Sequence, residues 1–161
     1  MLIPMLICVI MSAYFSATET AFNSLNVTKM KIAAERGDRT AALVLRLLDD
    51  YNRLLTTILV GNNIVNIALS SMATVLFIEL LGGDIGATVS TAVITVVVLI
   101  FGEITPKSVA KESPEAFAKF SAPIINFLAI ILTPVNYIFS LWKKLVSMVV
   151  KSSEEETITE E

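Results

Sequence analysis

The chain contains no histidine and a single cysteine, Cys8, which lies in an apolar segment. Without histidine, the commonest ligand for zinc, copper or non-haem iron is missing, and so is the commonest general base near neutral pH. A lone thiol excludes an intramolecular disulfide and says nothing about compartment. Any metal held here must be taken by oxygen, which favours hard cations. Charge is also scarce: 17% of residues are charged and 55% hydrophobic, with a mean hydropathy of +0.75. Those values belong to a membrane protein. The net charge of −3 carries little information, because Glu154, Glu155, Glu156, Glu160 and Glu161 form one terminal cluster. Where the charges lie matters more than their sum.

Three hydrophobic spans cover about residues 1–23, 54–81 and 86–106, each near or above the roughly 20 residues a helix needs to cross the hydrocarbon core. No basic segment precedes the first and no small-residue cleavage site follows it, so it reads as a retained helix and not a signal peptide. Lys29, Lys31, Arg36, Arg39, Arg46 and Arg53 lie between spans one and two, whereas spans two and three are joined by Gly82-Gly83-Asp84-Ile85. The positive-inside rule therefore puts the amino end outside and the carboxyl end in the cytoplasm of a multi-pass cell-membrane protein. Helical spacing of apolar residues in the basic link predicts two short cytoplasmic helices within 28–50, broken at Gly37-Asp38 with Asp38 as an N-cap. The expected fold is all-α: three transmembrane helices plus juxtamembrane helices.

A fourth apolar stretch, residues 121–142, is long enough to cross, and hydropathy alone would make it do so. The charges argue otherwise. Lys107, Lys111 and Lys119 precede it and Lys143, Lys144 and Lys151 follow it, so a crossing would place one basic cluster outside. Pro123 and Pro134 bracket its centre, which predicts broken juxtamembrane helices within 113–150, lying against membrane lipid or the bundle. Residues 151–161 have no apolar periodicity and read as a linker towards a further domain.

Polar residues inside the spans carry the functional signal, because they usually face the bundle interior or a water-filled cavity. Ser12, Ser16, Glu19 and Asn23 recur at intervals of four, three and four, on one helical face. In span two Asn62, Asn66 and Ser70 recur every four residues, with Asn63 beside them. Serine and asparagine can simply join helices by hydrogen bonds worth about 0.6 kcal/mol on average, and Ser70 and Ser90 fit that role. Two asparagines, two serines and two acids together point instead to a site.

Span three ends in FGEITPKS (101–108). Pro106 has no N–H to donate to the Gly102 carbonyl, so a helix kink there frees that oxygen beside the Glu103 carboxylate. Glycine also permits close approach of an ion or another backbone. Hydroxyl, amide, carbonyl and carboxylate oxygens suit magnesium, with six oxygens at roughly 2.1 Å, or sodium.

The motifs FSATETAF (15–22), GNNIVNI (61–67) and FGEITPKS (101–108), in this order on successive spans, resemble the transmembrane domain of the CorC/cyclin-M (CNNM) magnesium transporters over nearly the whole chain. The resemblance implies a homodimer that transports magnesium, with export coupled to sodium. It implies a metal site of Ser12, Ser16, Asn62, Asn66, Gly102 and Glu103, with Pro106 as the kink. Glu19 and Asn63 are left as residues for a coupling ion. Family members continue into ATP-binding CBS modules, which are expected beyond the chain end.

Other classes compete. A non-transporting magnesium sensor or regulator could use the same oxygens. A serine hydrolase built on Ser108 and Lys107 is disfavoured, since adjacent helical residues point in different directions and no oxyanion signal accompanies them; the chain reads as no enzyme. The basic residues are spread along one membrane face and give no support for nucleic-acid binding.

Overall fold

The structure is a computed structural model that describes residues 1–134, 137, 138, 141 and 142. Lys143, Lys144, Lys151 and the expected linker at 151–161 lie outside the described residues. All regular elements described are helical: α1 (Leu2–Ser24), α2 (Val27–Glu35), α3 (Arg39–Asp49), α4 (Tyr51–Leu81), α5 (Gly83–Val97), a π-helical segment (Val98–Ile104), α6 (Thr105–Glu112) and α7 (Pro114–Ile131). Helix α1 packs against α4, the π-helical segment, α6 and α7.

Four helical runs, where the sequence predicted three, are long and apolar enough to cross a membrane: Leu2–Ser24, Tyr51–Leu81, Gly83–Glu112 and Pro114–Ile131. The fourth is α7, and it is not broken at Pro123 as expected, because the helix runs through that residue. Proline is tolerated inside apolar helices where neighbouring groups satisfy the freed carbonyl. The outward faces are apolar, with Leu2, Ile3, Leu6 and Ile10 on α1 and Ile64 and Ile67 on α4 all exposed. That is the pattern of helices solvated by lipid.

Local chemistry sets the turns. Asp38 caps α3 by accepting from the Thr40 and Ala41 N–H groups, each at 3.0 Å, and Gly37 before it takes φ +94°, a conformation L side chains rarely adopt. A single residue, Gly82 at φ +86°, separates α4 from α5. Gly86 then lets the two helices close, since a Cβ there would fall 2.5 Å from the Phe77 carbonyl oxygen. Similarly, a Cβ on Gly61 would fall 2.5 Å from the Phe15 ring, which seats α1 on α4.

The basic link and α7 form a layer at one end of the bundle. Glu115 accepts from the Asn26 N–H at 3.4 Å and pairs with Lys29 at 3.3 Å. Lys119 donates to Asp38 at 2.6 Å. At its other end α7 receives Arg53, whose guanidinium donates to the Ala129 carbonyl at 3.1 Å and the Thr133 hydroxyl at 3.3 Å. In its middle the Thr18 hydroxyl of α1 meets the Ser121 hydroxyl at 3.2 Å.

Candidate ion site between the first three long helices

Ser12 is completely buried on α1, and its hydroxyl donates to Asn62 Oδ1 on α4 at 3.0 Å. Asn66, one turn further along α4, sends its side-chain N–H to the same Oδ1 at 3.5 Å. Gly102 closes the third side. It is buried, and a Cβ on it would lie 2.9 Å from the Ser12 hydroxyl oxygen. The glycine is thus required by contact with a site side chain, a reason more specific than general close approach.

Two oxygens here lack partners. Ser16 Oγ, one turn from Ser12 on the same face, and Asn66 Oδ1 are buried without a hydrogen bond. A buried polar atom left unsatisfied costs about 1–3 kcal/mol, and these two oxygens have lone pairs that a ligand could take up. Among the described residues no three His, Cys, Asp or Glu side chains come together. The cluster itself is therefore made of neutral hydroxyl and amide oxygens, and the acid next to it in the chain is Glu103, half-buried and adjacent to Gly102. No described residue forms an ion pair with Glu103. Such a donor set fits a hard cation that retains part of its water shell.

The backbone around Glu103 departs from the simple kink. Residues 98–104 are π-helical, and the Thr105 N–H bonds the Ile100 carbonyl, five residues back. In that register the next donor would be Pro106 to Phe101, and in α register Pro106 to Gly102; proline can make neither bond. The wide turn thus ends where the donor is missing, and it brings Gly102 against Ser12. π-Bulges of this kind frequently mark functional sites.

The remaining residues separate from the cluster. Asn63 is exposed, off the face that carries Asn62 and Asn66. Glu19 pairs with Lys107 at 3.4 Å, tying α1 to α6, and Asn23 accepts from the Tyr51 hydroxyl at the end of the bundle. The polar stripe of α1 therefore divides into a buried pair, Ser12 and Ser16, and a pair nearer the basic link, Glu19 and Asn23, engaged elsewhere. Ser108 donates to its own helix at the Ile104 carbonyl, 3.0 Å away. Sequence reasoning missed the Lys107–Glu19 pair, although a base and an acid at the ends of two adjacent apolar spans were the available signal.

The fold and site define a multi-pass helical membrane protein with an oxygen-lined cluster inside the bundle. The chain belongs to the cyclin M family: residues 3–161 match the family's transmembrane N-terminal domain. It is 37% identical over 146 residues to a UPF0053 protein of Haemophilus influenzae, covering 91% of this chain and 34% of that one. With the UPF0053 inner membrane protein YfjD of Escherichia coli it shares 38% identity over 129 residues, 80% of this chain and 30% of the relative. A chloroplastic DUF21 domain-containing protein of Arabidopsis thaliana is 37% identical over 127 residues, 78% of this chain and 19% of the relative. The chain thus spans about a third of the length of the bacterial relatives it matches.

Proposed function

We propose that this domain carries magnesium across the cell membrane, exporting it at the expense of a sodium gradient. The observation that carries the reading is the pair of buried, unpartnered oxygens, Ser16 Oγ and Asn66 Oδ1, beside the Ser12–Asn62 bond. Magnesium is the substrate, held by Ser12, Ser16, Asn62, Asn66, the backbone at Gly102 and the Glu103 carboxylate. Lone pairs that the protein leaves unsatisfied are satisfied by the ion, and the one carboxylate offsets part of its charge. Nothing in this arrangement calls for catalysis, since Lys107 is occupied by Glu19 and Ser108 by the Ile104 carbonyl.

In this reading α1, α4 and the α5–α6 run cross the membrane, with the amino end outside and α7 lying along the cytoplasmic face. The ties of α7 support that placement. One of its ends bonds Asn26, just past the end of α1, and the other bonds Arg53, in the first turn of α4. Both partners belong to the end of the bundle that carries the basic link, whereas a crossing helix of 18 residues would separate its ends by about 27 Å of depth. A homodimer is the working unit, and ATP-binding CBS modules act on it from the cytoplasmic side.

Flux of magnesium into or out of liposomes, with and without a sodium gradient, tests the proposal alongside calorimetric binding to purified protein. Saturable flux that responds to sodium is expected. Binding without flux in the full-length protein would favour a sensor, and neither binding nor flux would remove magnesium as the substrate.

A further inference from the structure

Beyond the oxygen cluster, α4 and α5 enclose a second feature, in which a polar row crosses an otherwise apolar wall. A cleft of about 290 Å³ opens between them; a polar row of Asn66, Ser70 and Thr74 on α4 and Ser90, Thr91 and Thr95 on α5 runs along it, and apolar Ile94, Val98 and Leu99 complete its wall. Its lower end is Asn66, the residue whose Oδ1 is buried without a partner. From there the lining climbs one helical turn at a time towards the Gly82 turn, and Thr74 and Ser90 approach to 3.5 Å at the far end.

The three threonines of the cleft bond alike. Thr74 donates to the Ser70 carbonyl, Thr91 to the Ala87 carbonyl and Thr95 to the Thr91 carbonyl, at 2.9, 3.0 and 2.7 Å. Each of these three threonine protons is thus spent within its own helix, so the threonine lone pairs are what remain for the cleft. A row of acceptors suits a cation or the oxygen-bound waters of one. Room is sufficient, because a water needs only about 10–15 Å³ of such space.

We propose that this cleft is the outward limb of the ion path, a water-filled route that carries hydrated magnesium between the Asn66 end of the site and the membrane face bearing the Gly82 turn. The inference rests on the transport reading above and adds to it the route and the residues that line it. Thr74 and Ser90, meeting at the outer end, form its narrowing.

Single cysteines at Thr91 and Thr95, and at Val93 as an exposed apolar control on the same helix, in a Cys8→Ser background reconstituted in liposomes, test the route. A membrane-impermeant cationic methanethiosulfonate is applied from the side of the Gly82 turn. T91C and T95C are expected to react about tenfold or more faster than V93C, since each unit by which hydrocarbon raises a thiol pKa removes a factor of ten in thiolate. Added magnesium should slow them. Reaction as slow as that of V93C, in proteins that still bind magnesium by calorimetry, overturns the route and leaves the binding site standing. Absence of magnesium binding by the unmodified chain overturns both. As a second readout, Thr91→Val with Thr95→Val should lower flux by roughly tenfold with binding unchanged, because acceptors for the hydrated ion are lost; unchanged flux overturns the route.

Discussion

The Ser12 hydroxyl and the Asn62 side-chain oxygen, fifty residues apart in the chain, meet at 3.0 Å between α1 and α4, and Gly102 of the third helical run leaves no space beside them for a methyl group. Gly102→Ala would place a Cβ 2.9 Å from the Ser12 oxygen. The serine side chain can rotate away, so the fold should survive, but the Ser12–Asn62 bond would not. Magnesium affinity should fall by about 10–100-fold, the range seen when groups that orient metal ligands are removed. Calorimetry on a variant with unchanged helicity checks this, and wild-type affinity would mean that Ser12 is not held for binding.

Pro106→Ala supplies an N–H that either register could use. The helix should tighten towards α geometry between 98 and 106, and Gly102 should withdraw from Ser12. Thermal stability is expected to hold or rise while magnesium binding weakens, an opposition that a purely structural proline would not produce. Parallel melting and binding curves decide it.

Gly86→Ala is the contrasting case. The atom its Cβ would meet at 2.5 Å is the Phe77 carbonyl oxygen, which is backbone and cannot rotate aside. Overpacking of this kind costs about 1–3 kcal/mol, so α4 and α5 should separate and the protein should melt earlier. An unchanged melting temperature in detergent would show that the α4–α5 turn is looser than its geometry implies.

Much of this arrangement was legible in the sequence because helical periodicity converts spacing directly into a face. Asn62 and Asn66, four apart, do share one side of α4, and Ser12 and Ser16 one side of α1. Asp38 reads as a cap because a carboxylate following glycine at the break between two apolar patterns has few other roles. The π-helical segment was not legible, since a change of backbone register leaves no trace in hydropathy. Neither was the engagement of Glu19: spacing sets it on the stripe with Ser12, but the base that claims it, Lys107, comes from another helix. Pro123 misled for a related reason, because the cost of a proline depends on what packs around the freed carbonyl.

The layer formed by the basic link and α7 has its own pH dependence. Lys119 donates to Asp38, and together with the Ala41 N–H this lowers the Asp38 carboxyl from 3.8 to about 2. A depressed acid stabilises the folded state fully above its ordinary value and loses that contribution as pH falls through the folded one. The attachment of α7 to α3 should therefore persist at pH 4 and weaken between pH 4 and 2. Lys119→Met should return the Asp38 titration towards the ordinary carboxylate range, measured by carboxyl carbon NMR of labelled protein. An unshifted titration would mean that the pair does not form in solution.

Charge separates an ion site from a set of polar helix contacts. A divalent ion stripped of part of its water needs negative charge nearby, and the acids near the cluster are in different situations. Glu103 is half-buried beside Gly102 without an ion pair among the described residues, whereas the Glu19 charge is offset by Lys107 at 3.4 Å. Glu103→Gln keeps the shape of the side chain and removes its charge, so helicity and assembly should be retained while magnesium binding and flux are lost. Glu19→Gln should leave affinity close to wild type, because the charge it removes is already balanced, and should alter the response of flux to sodium. Releasing Lys107 from its partner is the further consequence, and Lys107→Met combined with Glu19→Gln should reverse part of that change. Flux in proteoliposomes with and without a sodium gradient, beside calorimetric binding, reads both quantities from each protein. Wild-type binding by Glu103→Gln would remove the carboxylate from the site, and loss of binding in Glu19→Gln would move the negative charge of the site towards the basic link.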